Sequence, residues 1–376
     1  MTTATRIAAR SILLCASTDS FHPATSTVAG VVVAIVLAGC GYGAADVNTF
    51  GAWPIDRGRF EGLLEAAPTQ LVDLDVVETR FQIVDGVAVE SDGLMLGRPG
   101  GIAVSAAGEL LIADEANHAV FLVSPADRMA VRVAGQAGAG PGEFSTPTHV
   151  GVSGSSFVVY DSGNNRVQKI ALGSLQFEES YPASYFWFFG KMAVGDSLIY
   201  LPDAASPERG VVRLVSTAPR LEELRRVLPP LVDPPGNLAH TTVRLAANGR
   251  IVVACYSTLP YVIVMSPNGD IETILQLSGE IVDLAADLAD RPDRARLFAT
   301  ALHVDDSNRI YFSHGPILYV LAPAGDGLSY RLVDKVAFRK ADGRDLPVYD
   351  LTSIPNGMLA LISRTSPDVF IARNES

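Results

Sequence analysis

Residues 99–133 begin Pro99-Gly-Gly-Ile-Ala-Val104 and continue as Leu110-Leu-Ile-Ala-Asp114, Ala119-Val-Phe-Leu-Val123 and Met129-Ala-Val-Arg-Val133. Turn residues separate these four runs, at Ala107-Gly108, at Glu115–His118 and at Ser124–Asp127. Short apolar runs bounded by turn residues predict β-strands joined by tight connections. The unit is therefore predicted to be a four-stranded antiparallel sheet.

The unit repeats along the chain. A second copy reads Pro147–Val152, Phe157–Asp161 and Asn164–Ile170. The first strand recurs at Val104, Val152, Val194, Leu245, Val304 and Ser353, with spacings of 48, 42, 51, 59 and 49 residues. A repeat of this length with four strands per unit is typical of propellers. The sequence predicts an all-β fold, a six-bladed β-propeller of four-stranded antiparallel blades.

The last unit is one strand short. Only 23 residues follow Ser353, enough for the remainder of three strands. The β-type stretch Val76–Val84 stands alone ahead of the first unit and is predicted to supply the fourth strand. An N-terminal strand that joins the C-terminal blade closes the ring and removes exposed strand edges. The predicted propeller spans residues 71–376.

The N-terminal segment carries the features of an export signal. Arg6 and Arg10 precede the apolar run Val28–Gly39, whose 12 residues are too few to cross a bilayer. The run ends in Leu37-Ala-Gly-Cys40, which resembles the lipobox of bacterial lipoproteins. The resemblance implies cleavage before a lipidated Cys40, with residues 1–39 as the signal peptide and 40–70 as a tether. The alternative is an ordinary secretory signal with an incidental cysteine.

The lipobox resemblance also implies a location. A lipidated Cys40 would attach the protein to a membrane through its N-terminal lipid, in the cell envelope. Gly41 follows, rather than an aspartate that would indicate inner-membrane retention. In a Gram-negative cell the family rule then implies the outer membrane and the periplasm.

A second resemblance concerns the repeat itself. The residues Gly138-Ala-Gly-Pro-Gly-Glu-Phe144, Pro147, Val150, Val159-Tyr-Asp161 and Asn164-Asn-Arg-Val-Gln168 resemble an NHL repeat. The whole chain resembles the six-bladed, TolB-like propeller lipoproteins of bacteria. Phe144 is expected to pack between sheets, Asp161 and Asn165 to fill hydrogen bonds in the turn, and Arg166 to pair with a carboxylate. These roles are structural.

Composition excludes two classes of protein. With 41 Asp+Glu against 29 Lys+Arg, the net charge of −12 argues against a nucleic-acid partner, which requires a basic surface. Three cysteines, Cys15, Cys40 and Cys255, are too few for a disulfide scaffold. Cys255 follows the apolar run Ile251–Ala254 and is interpreted as a small buried hydrophobe.

Candidate site residues follow from the architecture, because the innermost strands begin around the mouth of the central channel. The position before the first core residue of each inner strand is occupied by Gly101, His149, Lys191, Thr242, Ala301 and Asp350. His149, Lys191, Thr242 and Asp350 are therefore the candidate ligand-binding residues. Trp187 joins them as part of the aromatic stretch Tyr181–Phe189, which is either an apolar binding platform or inter-blade core.

A metal site is a weaker hypothesis. His149, His240 and His303 lie near one mouth, and related propellers hold metals with histidines from several blades. A strand alternates its side chains with period two, and the three positions are out of phase. Separate polar loop residues are favoured, so no cofactor is predicted, with a divalent metal as the alternative.

The sequence favours a lipid-anchored, extracytoplasmic binding or protein-interaction module, whose partner is a small polar ligand or an unknown protein. The chain contains no P-loop, Rossmann glycine motif, HExxH or GxSxG elbow. The alternative is a propeller enzyme, a metal-assisted hydrolase or lyase with its site at the channel mouth. A third hypothesis is an envelope-assembly scaffold that docks a protein on the aromatic loop.

Overall fold

The computed structural model describes residue 62 and residues 65–373, apart from residues 92, 125–128, 184–190, 203–211, 228–241, 255–259, 281, 283–300 and 356. The described residues form β-strands joined by turns and loops. None of their few helical turns has the length and hydropathy needed to cross a bilayer.

The strands are numbered in chain order. Five precede the first blade: β1 (Thr69–Asp73), β2 (Arg80–Val84), β3 (Gly86–Val87), β4 (Glu90–Ser91) and β5 (Leu94–Met95). Blade 1 contains β6 (Pro99–Val104), β7 (Leu110–Asp114), β8 (Ala119–Ser124) and β9 (Met129–Ala134). Blade 2 contains β10 (Pro147–Ser153), β11 (Ser156–Asp161), β12 (Arg166–Ala171) and β13 (Phe177–Pro182). Blade 3 contains β14 (Ala193–Val194), β15 (Leu198–Pro202), β16 (Val212–Ser216) and β17 (Glu222–Val227).

The second half of the ring follows the same plan. Blade 4 contains β18 (Thr242–Leu245), β19 (Ile251–Ala254), β20 (Tyr261–Met265) and β21 (Ile271–Ser278). Blade 5 contains β22 (Ala301–Val304), β23 (Ile310–His314), β24 (Ile317–Pro323) and β25 (Tyr330–Lys340). Blade 6 contains β26 (Asp350–Ile354), β27 (Met358–Ser363) and β28 (Ser366–Arg373).

Six antiparallel sheets form a closed ring, which confirms the predicted six-bladed propeller. In each blade the chain runs from the inner strand outward. Each of the inner strands β6, β10, β14, β18, β22 and β26 contacts the next, and β26 returns to β6. Six apolar clusters fill the spaces between neighbouring blades. The alternation of the strands presents apolar side chains to both neighbouring blades, and this burial supplies most of the stability.

An N-terminal strand closes the ring, but the predicted segment is wrong. Residues 80–84 of the stretch Val76–Val84 pair in parallel with Val336–Lys340, as a fifth strand on the outside of blade 5. The strand that completes blade 6 is β3, whose Gly86 and Val87 pair with Phe370 and Val369.

Close packing explains why this strand gave no signal in the sequence. A Cβ atom on Gly86 would lie 2.8 Å from Cβ of Asp368, so the strand needs a glycine at this position. A two-residue strand with a glycine has no apolar period to recognise.

The N-terminal segment therefore crosses three blades. β1 pairs in parallel with β21 as a fifth strand of blade 4, β2 does the same in blade 5, and β3 completes blade 6. Val72 and Leu74 are buried between blades 4 and 5, and Val84 between blades 5 and 6. We call residues 69–87 the N-terminal strap.

Phe144, Asp161 and Arg166 of the segment that resembles an NHL repeat have the expected contacts, whereas the amide side chain that donates hydrogen bonds in the turn is Asn164 rather than the predicted Asn165. Phe144 is buried between blades 1 and 2. Asp161 accepts a hydrogen bond from the backbone N–H of Ser145 at 2.6 Å and pairs with Arg166 at 3.0 Å. Asn165 takes the left-handed conformation that the turn requires, with φ of 51°.

Candidate functional site

The four charged or polar candidates of the predicted ring converge at one end of the channel. His149 lies on β10 next to a β-bulge, Lys191 precedes β14 and bridges to Thr242 at the start of β18, and Asp350 begins β26. All four side chains are buried. Because every inner strand starts at the same end of the ring, equivalent positions in different blades meet there.

Lys191 crosses the channel. It belongs to blade 3, and its Nζ lies 3.2 Å from Oδ1 of Asp350 in blade 6, on the opposite side of the ring. The same ammonium donates a hydrogen bond to the carbonyl of Tyr349 and lies 4.2 Å from the centroid of the Tyr349 ring. The lysine side chain is 0% exposed, so it is shielded from solvent in this structure.

Asp350 connects four blades. Its Oδ1 accepts a hydrogen bond from Arg244 at 2.9 Å, and its Oδ2 accepts one from the backbone N–H of Ile102 at 3.3 Å. Arg244 also donates to the carbonyls of Met192 and Val243. The inner edge of each blade is an unpaired strand edge, and these side chains satisfy part of its backbone groups.

A second carboxylate lies beside this group. Glu115, in the turn after β7, pairs with Arg98 at 2.9 Å and with Arg364 from the turn after β27. The guanidinium carbon of Arg364 lies 4.4 Å from the centroid of the Tyr349 ring. Tyr349 therefore joins two triads of cation, carboxylate and cation: Lys191–Asp350–Arg244 and Arg98–Glu115–Arg364.

The buried setting shifts the pKa values of these groups. Burial lowers the pKa of Lys191 to about 8, and Arg244 adds to this while Asp350 opposes it. Burial raises the pKa of Asp350, but Lys191 and Arg244 outweigh burial and leave it below its ordinary value. Burial raises the pKa of Glu115 against the opposing effect of Arg364 and Arg98. The charged form of Lys191 thus depends on the anions around it.

Two buried polar side chains at this end have unused hydrogen-bonding atoms. Nδ1 of His149 lies 3.0 Å from the hydroxyl of Thr148, whereas its Nε2 has no hydrogen-bond partner among the described residues. The Thr242 hydroxyl is also without a partner in that part of the chain. Burial, with Lys191 nearby, lowers the pKa of His149 well below its ordinary value, so its imidazole is neutral at pH 7.

His303 is engaged elsewhere. Its Nε2 lies 2.7 Å from the Ser353 hydroxyl and accepts a hydrogen bond from the Ser353 backbone N–H at 3.2 Å. A backbone N–H can only donate, so Nε2 carries no proton. The contact fixes the inner strands of blades 5 and 6 to each other.

His303 predicts a loss of stability in acid. Burial and the nearby Arg244 lower the pKa of His303 to about 4, below its ordinary 6.5. Between these values the unfolded chain binds a proton that the folded chain does not, so stability falls as the pH falls from 6.5 to 4. We expect His303→Gln to remove on the order of 2 kcal/mol of this dependence, measured by urea unfolding at pH 7 and pH 4.5. Parallel losses in the variant and the wild type would contradict this prediction.

Several sequence-based candidates lie outside the described residues: Cys40, Trp187, His240 and Cys255. The described residues contain no group of three or more His, Cys, Asp or Glu side chains that could hold a metal ion. Of the proposed histidine set, His149 and His303 are described, and His303 uses its Nε2 on Ser353.

Sequence reasoning missed the cations that complete the triads. Arg244 lies two residues after Thr242 on the same strand, and Arg98 three residues before Gly101. Glu115 and Arg364 occupy the turns between the second and third strands of blades 1 and 6. These turns lie at the end where the inner strands begin, so a search of them would have found both residues.

The comparisons with known proteins support the fold. No protein-family model matches the sequence, and no curated protein matches it. The β-propeller domain of Cps50 (Swd1) from Myceliophteria thermophila is 11% identical, with a TM-score of 0.50, over 77% of this chain and 98% of that one. A putative exported protein from Bacteroides fragilis is 9% identical, with a TM-score of 0.49, over 81% of this chain and 98% of that one.

A streptogramin B lyase is 9% identical, with a TM-score of 0.48, over 77% of this chain and 96% of that one. Likeness at such low identity concerns the fold alone. The chain is a six-bladed β-propeller, and a pair of charged triads lies at one end of its channel.

Proposed function

We propose that the protein is a lipid-anchored, extracytoplasmic binding module of the TolB-like, NHL-repeat type, and that it binds its ligand at the charged end of the channel. The observation that carries the proposal is the convergence of buried charged and polar side chains from blades 1, 2, 3, 4 and 6 on this end. Burying so many charges costs free energy, and binding a ligand is a reason to retain them.

Binding is favoured over catalysis by the state of Asp350, the carboxylate inside the channel. Asp350 and Glu115 are each held between two cations. The two cations beside Asp350 keep the pKa of its carboxyl below the ordinary value, so this carboxylate is a poor acceptor for a substrate proton. The site therefore resembles a set of fixed charges more than an acid–base pair.

The binding proposal is tested by ligand-induced stabilisation. Melting temperatures of the mature protein would be measured against a panel of small polar compounds, for the wild type and for Lys191→Met. We expect at least one compound to raise the melting temperature of the wild type and not of the variant. Equal shifts in both proteins would place the ligand elsewhere. A stoichiometric metal that is lost in His149→Ala would favour the metal-assisted enzyme instead.

The lipid anchor has a separate test. We expect Cys40→Ala in the full-length chain to move the protein from the membrane fraction to the soluble fraction, because acyl chains anchor through buried methylenes. Cys15→Ala is the matched control, since Cys15 lies within the proposed signal peptide, and should leave the protein in the membrane fraction. Retention of the Cys40→Ala protein on the membrane would overturn the anchor. In a Gram-negative cell the fraction expected is the outer membrane.

A further inference from the structure

We propose that the ligand bound at this end of the channel is a small oxyanion, a carboxylate or a phosphate, held by Lys191, Thr242, His149 and Arg364. The inference rests on the proposed function, because it assigns the chemistry of the ligand to the same site. Three properties of the described residues carry it: an excess of cations, unused hydrogen-bonding groups and contact of the outer cations with solvent.

The excess of cations is the first property. Lys191 and Arg244 share the single carboxylate of Asp350, so this buried triad has a net charge of +1. Arg98 and Arg364 share Glu115, and that triad also has a net charge of +1. The whole chain is acidic, with a net charge of −12, so the local excess is opposite to the average. An uncompensated charge in a low-dielectric site is costly, and an anion would neutralise it.

Unused hydrogen-bonding groups are the second property. Among the described residues, four buried side-chain atoms without a hydrogen-bond partner belong to this end: His149 Nε2, Thr242 Oγ1, Tyr349 Oη and Arg364 Nε. Native proteins leave few buried polar atoms unpaired, and a concentration of them indicates an absent partner. A hydroxyl, a phenol and a guanidinium N–H are donors, and an oxyanion is an acceptor at every oxygen.

Solvent access is the third property. The side chain of Arg98 is 54% exposed and that of Arg364 is 29% exposed, whereas Lys191 is fully buried. The Arg98–Glu115–Arg364 triad therefore meets solvent, and the Tyr349 ring connects it to the buried Lys191. An anion would first meet the two arginines and then reach the ammonium, an arrangement that draws anions inward.

A neutral or cationic ligand fits less well. A neutral sugar would leave both triads with their excess charge, and a metal cation would add to it. The four cations here face only two carboxylates, and the charged groups that act on His149 are Asp350 and three cations, Lys191, Arg244 and Arg364. An anion satisfies the charge and the free donors together.

The test uses calorimetric titration of the mature protein with sodium succinate and, separately, with inorganic phosphate, at constant ionic strength in chloride. Glucose is the neutral probe. We expect binding of one oxyanion and no binding of glucose. The two oxyanion titrations distinguish a carboxylate from a phosphate ligand.

Thr242→Val is the decisive variant because it removes only the unpartnered hydroxyl and keeps the shape of the side chain. We expect a loss of affinity of at least tenfold, as for a hydrogen bond to a charged group. Thr273→Val on β21, the fourth strand of the same blade, is the matched control and should bind as the wild type does. The melting temperature of Thr242→Val without ligand should be no lower than that of the wild type, since a buried unpaired group has been removed.

Proton linkage supplies an independent readout. The titratable and charged groups around Lys191 come from three other blades: Asp350 and Tyr349 from blade 6, Arg244 from blade 4 and His149 from blade 2. Arg364 contacts the Tyr349 ring as well. A bound anion favours the charged ammonium, so affinity should fall as the pH rises from 7 to 9, where the free protein loses this proton. Thr242→Val should weaken binding at both pH values.

Two results would overturn the proposal. In the first, neither oxyanion binds, but a neutral compound raises the melting temperature of the wild type and not that of Lys191→Met. This result would leave the proposed binding function intact. The other is oxyanion binding that Thr242→Val leaves unchanged. If neither a neutral compound nor an oxyanion stabilises the protein, both the proposed binding function and this inference are wrong.

Discussion

Replacing Asp350 with alanine is expected to lower the free energy of unfolding by about 3–5 kcal/mol at pH 7, the usual cost of removing one partner from a buried ion pair. The substitution leaves Lys191 and Arg244 inside the channel with no carboxylate, and the backbone N–H of Ile102 loses its acceptor. Urea unfolding of the variant and the wild type measures the difference. At pH 9 the loss should be smaller, because Lys191 can give up its proton.

Asp345→Ala is the matched control for this prediction. Asp345 pairs with Arg339 at 3.3 Å on the surface, where its side chain is 62% exposed. An exposed pair contributes about 0–1 kcal/mol, so this substitution should change little. If Asp350→Ala cost no more than Asp345→Ala, the channel would contain water at this level and the triad would be a solvated ion pair.

The second large effect concerns the N-terminal strap. Val84 is 3% exposed and packs between blades 5 and 6, beside Phe338 and Phe370. Val84→Asp would bury a carboxylate among apolar side chains, and we expect a loss of several kcal/mol. Urea unfolding at pH 7 measures it, and acid should reduce the loss because the new carboxyl can then be neutral.

The adjacent residue is the control. Ile83 is 69% exposed on the opposite face of β2, so Ile83→Asp should be nearly neutral. Neighbouring residues in a strand point to opposite faces, and a slip of the pairing by one residue would exchange the two results. Equal effects at both positions would show that β2 is not packed against blade 5 as described.

Much of the fold follows from the sequence because propeller blades are local units. Each blade is a series of antiparallel strands joined by short turns, so strand, turn and repeat length can all be read within about 50 residues. Aligning the first strands of the six units also identified residues that lie at one end of the channel, because all the inner strands start at that end. For this reason His149, Lys191, Thr242 and Asp350 were found together although 201 residues separate the first from the last.

Contacts between distant residues could not be predicted in the same way. The pairing of β2 with β25 joins residues more than 250 positions apart, and nothing in the composition of either strand selects that partner. The stretch Leu221–Val227 illustrates local ambiguity, since its pattern also suits a helical turn whereas residues 222–227 form the outer strand of blade 3. The triads depend on side chains from different blades, and only the closed ring brings these together.

The N-terminal strap determines when, during synthesis, the propeller can finish folding. Residues 69–87 leave the ribosome early, whereas their partners on β21, β25 and β28 are among the last third of the chain to be made. At 5–20 residues per second the wait for β28 is roughly 15–60 s. During that interval the strands of the strap have no pairing partners, and their apolar side chains are exposed. The nascent chain is then open to proteolysis and to mispairing with other nascent chains.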